Sequence, residues 1–158
     1  SFLGGYEYIL RAMPTLGISS GSSPIAFYTD MNINDNNALD VLEKLGSCLR
    51  IEEDKFDAFT SIFGAGPAFI SHLSNTLAKI AKEHGFEEPE PWIREILDGT
   101  SHIHKSDEKN SFENIVDMVA SKGGVTEAAL NKINEKGIED IWNQAINDAI
   151  IKSKALGD

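Results

Sequence analysis

The sequence predicts a mainly α-helical protein with a short mixed α/β stretch at its start. Three observations carry that expectation. Up to about residue 52 the apolar residues run or alternate as in strands, with one helical stretch among them. From Glu53 onward every apolar pattern has helical spacing, and glycine or proline interrupts it at intervals. The 158 residues, 41% of them hydrophobic, suffice to bury a core. We find no internal repeat and no low-complexity tract.

Residues 6–10, Tyr-Glu-Tyr-Ile-Leu, form an aromatic and β-branched run that stops at Met13-Pro14 and reads as a strand. A polar stretch over 17–23 leads to a second strand over 24–29, where the leading proline suits a strand start or an edge. Residues 34–37, Asn-Asp-Asn-Asn, offer capping side chains ahead of Ala38, Leu39, Val41, Leu42 and Leu45. Gly46 ends that helix, and residues 48–51 read as a third strand. Three strands and one helix make a poor domain alone, because a small open sheet needs its faces and edges covered.

The helical part divides into faces. Leu73, Leu77, Ile80 and Ala81 share one, ended by Gly85; Trp92, Ile93, Ile96 and Leu97 share another that begins just after Pro91. Phe112, Ile115, Val116 and Val119 form a third, Ala129, Leu130 and Ile133 a fourth. A broad stripe from Ile138 to Ile150 forms the last. That stripe and the helix over 69–81 carry more apolar surface than so small a helical part can bury, which predicts at least a homodimer.

Charge and cysteine content narrow the function classes. With 25 acidic against 14 basic residues the net charge is -11, which argues against nucleic acid or an anionic membrane as partner. No stretch approaches the ~20 apolar residues of a membrane span. Cys48 alone can form neither an internal disulfide nor a cysteine zinc site, which suits a reducing cytoplasm. The chain opens at Ser1 without methionine or signal-peptide pattern, so we expect it to begin inside a longer protein.

Two glycine motifs stand out. Gly64-Ala-Gly-Pro67 follows a helical pattern and lacks a third glycine, so it fails as a dinucleotide loop; it reads as a helix break, with Pro67 restarting the helix. Residues 119–130, Val-Ala-Ser-Lys-Gly-Gly-Val-Thr-Glu-Ala-Ala-Leu, place two glycines and a threonine between helical stretches. Gly123 and Gly124 can close one helix with positive φ, and Thr126 is a good cap for the next. The same backbone N–H groups at a helix start also suit a carboxylate or phosphate. Both readings stand on spacing alone. His102 and His104 beside Lys105 read as a solvated helix end, since no third ligand completes a metal site. His72 and His84 read as surface or satisfied core residues, and the acidic runs 52–54 and 87–90 as solvated helix starts.

Taken in order, Arg11-Ala-Met-Pro14, Phe63-Gly-Ala-Gly-Pro-Ala-Phe69 and Ser121-Lys-Gly-Gly-Val-Thr126 resemble the later part of pyrroline-5-carboxylate reductase across nearly the whole chain. The resemblance implies that residues 1–52 are the end of a Rossmann-type dinucleotide-binding domain whose glycine-rich loop precedes Ser1. It implies that residues 53–158 are an all-helical dimerisation and substrate-binding domain. It implies an NAD(P)H-dependent reduction of 1-pyrroline-5-carboxylate to L-proline, with NADP or NAD as cofactor. Residue by residue, Ser121, Gly123, Gly124, Val125 and Thr126 match the loop that holds the substrate carboxylate, and Thr126 the position near the ring nitrogen, the catalytic assignment. Pro14, Thr15, Met118 and Val119 match positions toward the cofactor.

The chain departs from the family strings at five places. Thr15 stands for an Asn, Ala65 for a Ser, Phe69 for a Tyr, Lys122 for a Pro, and Val125 for a Thr or Ala. Backbone roles survive such changes, while several hydroxyl and amide contacts do not. The departures motivate one rival reading, an imine or ketone reductase of the same superfamily acting on another small carboxylate. A non-catalytic helical dimerisation module is the rival from another class.

Overall fold

The computed structural model describes residues 9–30, 37–106 and 111–157. It is largely helical, with a three-stranded sheet near the start, as the apolar spacing requires. The chain falls into two compact units, one formed by Ser1–Phe69 with Ala145–Asp158 and the other by Ile70–Gln144.

In the first unit the sheet consists of β1 (Leu10–Met13), β2 (Ser23–Thr29) and β3 (Gly46–Arg50) in the order β1-β2-β3. The first strand stops at Met13, where the expected run stops, and runs antiparallel to β2 from Leu10 opposite Thr29 to Met13 opposite Ala26. Residues 6–8 of the expected strand, and the cap residues 34–36, lie outside the described residues. β3 is parallel to β2, and helix α1 (Asn37–Glu43) lies in the connection that such a pair demands. Gly46 opens β3 rather than closing α1, because there it faces Ser23 and a Cβ would meet the Ser23 carbonyl oxygen at 2.0 Å. β2 is buried on both faces, with Ile25 and Phe27 on one and Ala26 on the other.

Ala26 shares a core with Phe56 and Phe59 of α2 (Phe56–Phe59), and Met13, Tyr28 and Ile51 pack around it. Arg11 closes this layer from outside. Its guanidinium lies 4.1 Å from the Phe56 ring centroid and pairs with Glu53. From α2 the backbone passes through a single π turn (Thr60–Gly64) into α3 (Gly66–Glu83). The expected helix break therefore takes another form: neither Gly64 nor Gly66 has positive φ, and Ala65 stays right-handed at φ -81°. Pro67 has no N–H for the Phe63 carbonyl, and the wide turn closes by the Ala65 N–H donating to the Thr60 carbonyl at 3.0 Å. Gly64 serves packing, since a Cβ there would come within 3.3 Å of Met13 Cε.

In the second unit α3 turns into α4 (Glu90–Ser106) at Gly85, whose φ of 88° excludes most side chains. The Phe86 N–H donates back to the Ala81 carbonyl at 3.1 Å, a Schellman closure. α4 starts at Glu90, so Pro91 sits in the first turn, where its missing N–H costs nothing. Lys82 and Glu90 pair at 2.5 Å and tie the two helices. α5 (Phe112–Val119) is capped by the Ser111 hydroxyl, which accepts from the Asn114 N–H at 3.1 Å. α6 (Val125–Glu135) follows, and Gly137 with φ 72° joins it to α7 (Ile138–Gly157), whose residues from Ala145 on belong to the first unit. The His104 ring at the end of α4 packs against Phe112, centroids 4.6 Å apart and planes tilted by 52°. His72 and His84 are exposed on and just after α3. Among the described residues no helix is long and apolar enough to cross a membrane.

Burial is unequal. The helices of the second unit bury Ala78, Ile93 and Ile115, while α6 and α7 bury no residue. Trp92 is 70% exposed, Ile96 60% and Ile141 56%, so the helical stripes exist and stand open to solvent.

Candidate active site

The corner between α5 and α6 is built by three local decisions of the backbone. Ala120 ends α5 with its N–H donating to the Val116 carbonyl at 2.8 Å. Gly123 then takes φ 75°, a left-handed conformation that glycine adopts at no steric cost. Gly124 is extended, φ -85° and ψ 172°, and caps α6; its carbonyl accepts the first helical bond from the Ala128 N–H at 3.2 Å. Glycine is required at 124 for a different reason. A Cβ would lie 2.6 Å from Ser121 Oγ and 2.8 Å from the Ser121 carbonyl oxygen.

Two expectations change here. Only the first of the paired glycines has positive φ. Thr126 is not the helix cap, because α6 starts one residue before it and Gly124 holds the cap position with no side-chain bond. Thr126 is the second helical residue and is half-buried.

The corner's N–H groups divide into two sets. The Gly124 N–H donates to the Ser121 carbonyl at 2.8 Å, and the Gly123 N–H to Glu127 Oε2 at 2.7 Å. No acceptor among the described residues meets the N–H groups of Val125, Thr126 or Glu127. These three are the orphan donors of a helix start, aligned with the positive end of its dipole. Val125, whose side chain is 88% exposed, leaves the approach to them open. Chemically, the corner can hold a small anion by backbone donors and offer one hydroxyl beside it. Ser121 and Lys122 are exposed at its rim.

Glu127 is absent from the residues singled out by sequence. A signal existed: a glutamate three residues after a capping position commonly reaches back to the backbone at the helix start. Lys122, expected to add charge, makes no ion pair among the described residues.

Of the residues matched to the cofactor, Met118 and Val119 belong to the second unit and Pro14 and Thr15 to the first. Met118 and Val119, at the end of α5, are 71% and 63% exposed and present apolar surface beside the corner. Pro14 is exposed after β1, whereas Thr15 is only 6% exposed. The Thr15 N–H donates to Ser23 Oγ at 2.8 Å, and its hydroxyl lies 3.1 Å from the same oxygen. Its polar groups are thus spent on β2, which holds Pro14 at the strand end. Among the described residues no cluster of three His, Cys, Asp or Glu side chains could hold a metal ion.

A separate apolar groove lies between α3 and α4, about 490 Å³ in volume and lined by Leu77, Ala81, Phe86, Pro89, Trp92 and Ile96, with Ile93 at its base. Its lining is nearly devoid of polar groups, unlike the corner.

Residues 53–156 match the family described as pyrroline-5-carboxylate reductase dimerisation. A pyrroline-5-carboxylate reductase of Aquifex aeolicus is 34% identical over 160 residues, covering 98% of this chain and 60% of that protein. The chain thus spans well under two thirds of that relative's length. Among solved structures, a Coxiella burnetii pyrroline-5-carboxylate reductase superposes with a TM-score of 0.85 at 21% identity, over 98% of this chain and 59% of the other. The Plasmodium falciparum pyrroline carboxylate reductase, solved with NADP bound, gives a TM-score of 0.83 at 22% identity, over 98% of this chain and 61% of the other. At such identities the two structures speak for the fold alone.

Proposed function

Because the chain belongs to the pyrroline-5-carboxylate reductase family, we propose that the protein reduces 1-pyrroline-5-carboxylate to L-proline at the expense of a nicotinamide cofactor. Residues 1–52 are the end of its dinucleotide-binding domain and residues 53–158 its helical dimerisation and substrate-binding domain. The observation that carries the reading is the α5–α6 corner, where free N–H groups of Val125 and Thr126 stand at a helix start kept open by two obligatory glycines.

The substrate carries one carboxylate and one ring nitrogen. Its carboxylate binds the Val125 and Thr126 N–H groups, assisted by the helix dipole. Ser121, Gly123 and Gly124 shape the loop that presents them. The Thr126 hydroxyl meets the ring nitrogen, fixing which face of the C=N bond is open. A threonine hydroxyl is too weak an acid to protonate an imine at neutral pH, so water supplies that proton or the ring arrives protonated. Fixing the ring in this way is where catalysis gains most, because positioning alone can contribute roughly 7–11 kcal/mol.

The bound nicotinamide supplies the hydride. Within the second unit, exposed Met118 and Val119 suit apolar contact with NADP or NAD; within the first, exposed Pro14 is the candidate contact. Thr15, committed to Ser23, would act by holding Pro14.

A second copy of the chain covers the open stripes of α3, α4 and α7, giving a homodimer or larger homo-oligomer, and the family's description as a dimerisation domain supports this. The enzyme works in the cytoplasm, in keeping with its lone cysteine. The test is an assay of the full-length protein with 1-pyrroline-5-carboxylate and NADPH or NADH, following proline. Proline forms if the proposal holds. No proline with either cofactor, together with turnover of another cyclic imine or keto acid, would replace it by the reading as a diverged reductase.

A further inference from the structure

Glu127 makes a contact that the proposed reaction does not use. Its carboxylate accepts the Gly123 N–H at 2.7 Å, inside the loop assigned to the substrate carboxylate. One donor of that loop is therefore occupied by an anion belonging to the chain itself. The Gly124 N–H is also occupied, but by the Ser121 carbonyl, which is neutral and part of the turn. Glu127 differs from Ser121 in bearing charge on a side chain that can swing away, since the residue sits in the first turn of α6.

We propose that Glu127 is an internal competitor for the anion site: its carboxylate holds the Gly123 N–H in the free protein and must yield, or be endured as a like charge, when the substrate carboxylate binds. The inference rests on the substrate reading above and deepens it by naming the residue that sets carboxylate affinity. Its physical basis is the balance at one helix start. Three free N–H groups and the dipole favour an incoming anion, while a resident carboxylate on the neighbouring Gly123 N–H offsets that field and repels the newcomer. Glu127 thereby discriminates against weakly held anions such as phosphate or acetate. Only a ligand with further contacts, such as those of the ring with Thr126, repays its displacement.

The test uses the full-length protein, its Glu127→Gln variant and its Glu127→Ala variant. Glutamine keeps an oxygen that can accept the Gly123 N–H and removes the charge; alanine removes both. Two readouts are taken, KM for 1-pyrroline-5-carboxylate and the calorimetric Kd for L-proline, which needs no turnover. A like charge about 4 Å away in a solvated site changes affinity about five-fold, so both quantities are expected to fall by about that factor in Glu127→Gln. They fall at least as far in Glu127→Ala, and inhibition by inorganic phosphate strengthens in both variants. Unchanged or raised values in both variants, with a lower Tm for Glu127→Ala, overturn the proposal and leave Glu127 as a helix cap. If the wild type forms no proline yet Glu127→Gln binds L-proline more tightly, the proposed reaction falls and the competitor role stands. If no form binds L-proline, the competitor role falls with it.

Discussion

Alanine at position 124 isolates what the α5–α6 corner demands of its backbone. Gly124 is extended, at φ -85° and ψ 172°, values that alanine adopts freely, so the substitution acts only through its new methyl group. On the present backbone that methyl would lie 2.6 Å from Ser121 Oγ and 2.8 Å from the Ser121 carbonyl oxygen. Ordinary C···O contacts begin near ~3.3 Å, so both atoms overlap it by roughly half an ångström or more. The hydroxyl can rotate aside, whereas the carbonyl accepts the Gly124 N–H at 2.8 Å and is held there. Relief therefore means losing that bond, about 0.5–1.5 kcal/mol, or moving the first turn of α6. Overpacking of this kind costs about 1–3 kcal/mol, which for a chain of this size lowers Tm by about 2–4 °C per kcal/mol. If the substrate carboxylate sits as proposed, the kinetic effect is larger, because shifting the Val125 and Thr126 donors by a fraction of an ångström misplaces it. A misplacement of about 1 Å can cost ~10²-fold in rate, so we expect kcat/KM of the full-length enzyme to fall about 10- to 100-fold. Adding Ser121→Ala removes the hydroxyl overlap and leaves the carbonyl, so it does not restore activity. Wild-type kcat/KM in Gly124→Ala, or full rescue by Ser121→Ala, would refute the reasoning.

Three further outcomes follow from other parts of the chain. Phe56 is 2% exposed between the sheet and the Arg11 guanidinium, so Phe56→Ala should cost about 3–5 kcal/mol in denaturant unfolding; a loss under about 1 kcal/mol would mean that this layer is not the core of its unit. Trp92 is 70% exposed at the α3–α4 groove, so Trp92→Glu should leave secondary structure intact by circular dichroism and shift sedimentation toward monomer; an unchanged oligomer would remove the groove from the interface. The hydrogen bond from Lys82 holds the Glu90 carboxyl below its ordinary range. A depressed carboxylate pKa gives stability that is present above its unfolded value and lost as pH falls through the folded one. The Tm gap between wild type and Lys82→Met should accordingly be open at neutral pH and close on acidification; a gap independent of pH would dismiss the pair as a contributor.

Long helices were legible because apolar residues recur with helical spacing along α3, α4 and α7, a mark that needs no knowledge of neighbours. Strand limits were less so. That Leu10–Met13 pairs with β2 depends on which backbone groups find partners there, and pairing is a property of two segments at once. Gly46 shows the same limit. After α1 it looks like a helix stop, yet its cause is the Ser23 carbonyl 23 residues earlier in the chain, against which any side chain would collide.

The corner carries this argument furthest, since Gly123 and Gly124 are adjacent, identical and explained by unrelated physics. Gly123 answers a local question, a left-handed turn that the dipeptide itself suggests. Gly124 answers a spatial one, contact with Ser121 across the turn. Thr126 looked like the cap because its hydroxyl could fill that role, but the cap went to the residue with room for the turn, which moved the helix start to Val125 and freed the hydroxyl. A hydroxyl spent on capping would have none to offer a ring nitrogen. The steric demand at Gly124 is therefore what leaves the Thr126 hydroxyl free for the role proposed for it, and it is why a substitution that adds one methyl to a glycine should be felt at an atom two residues away.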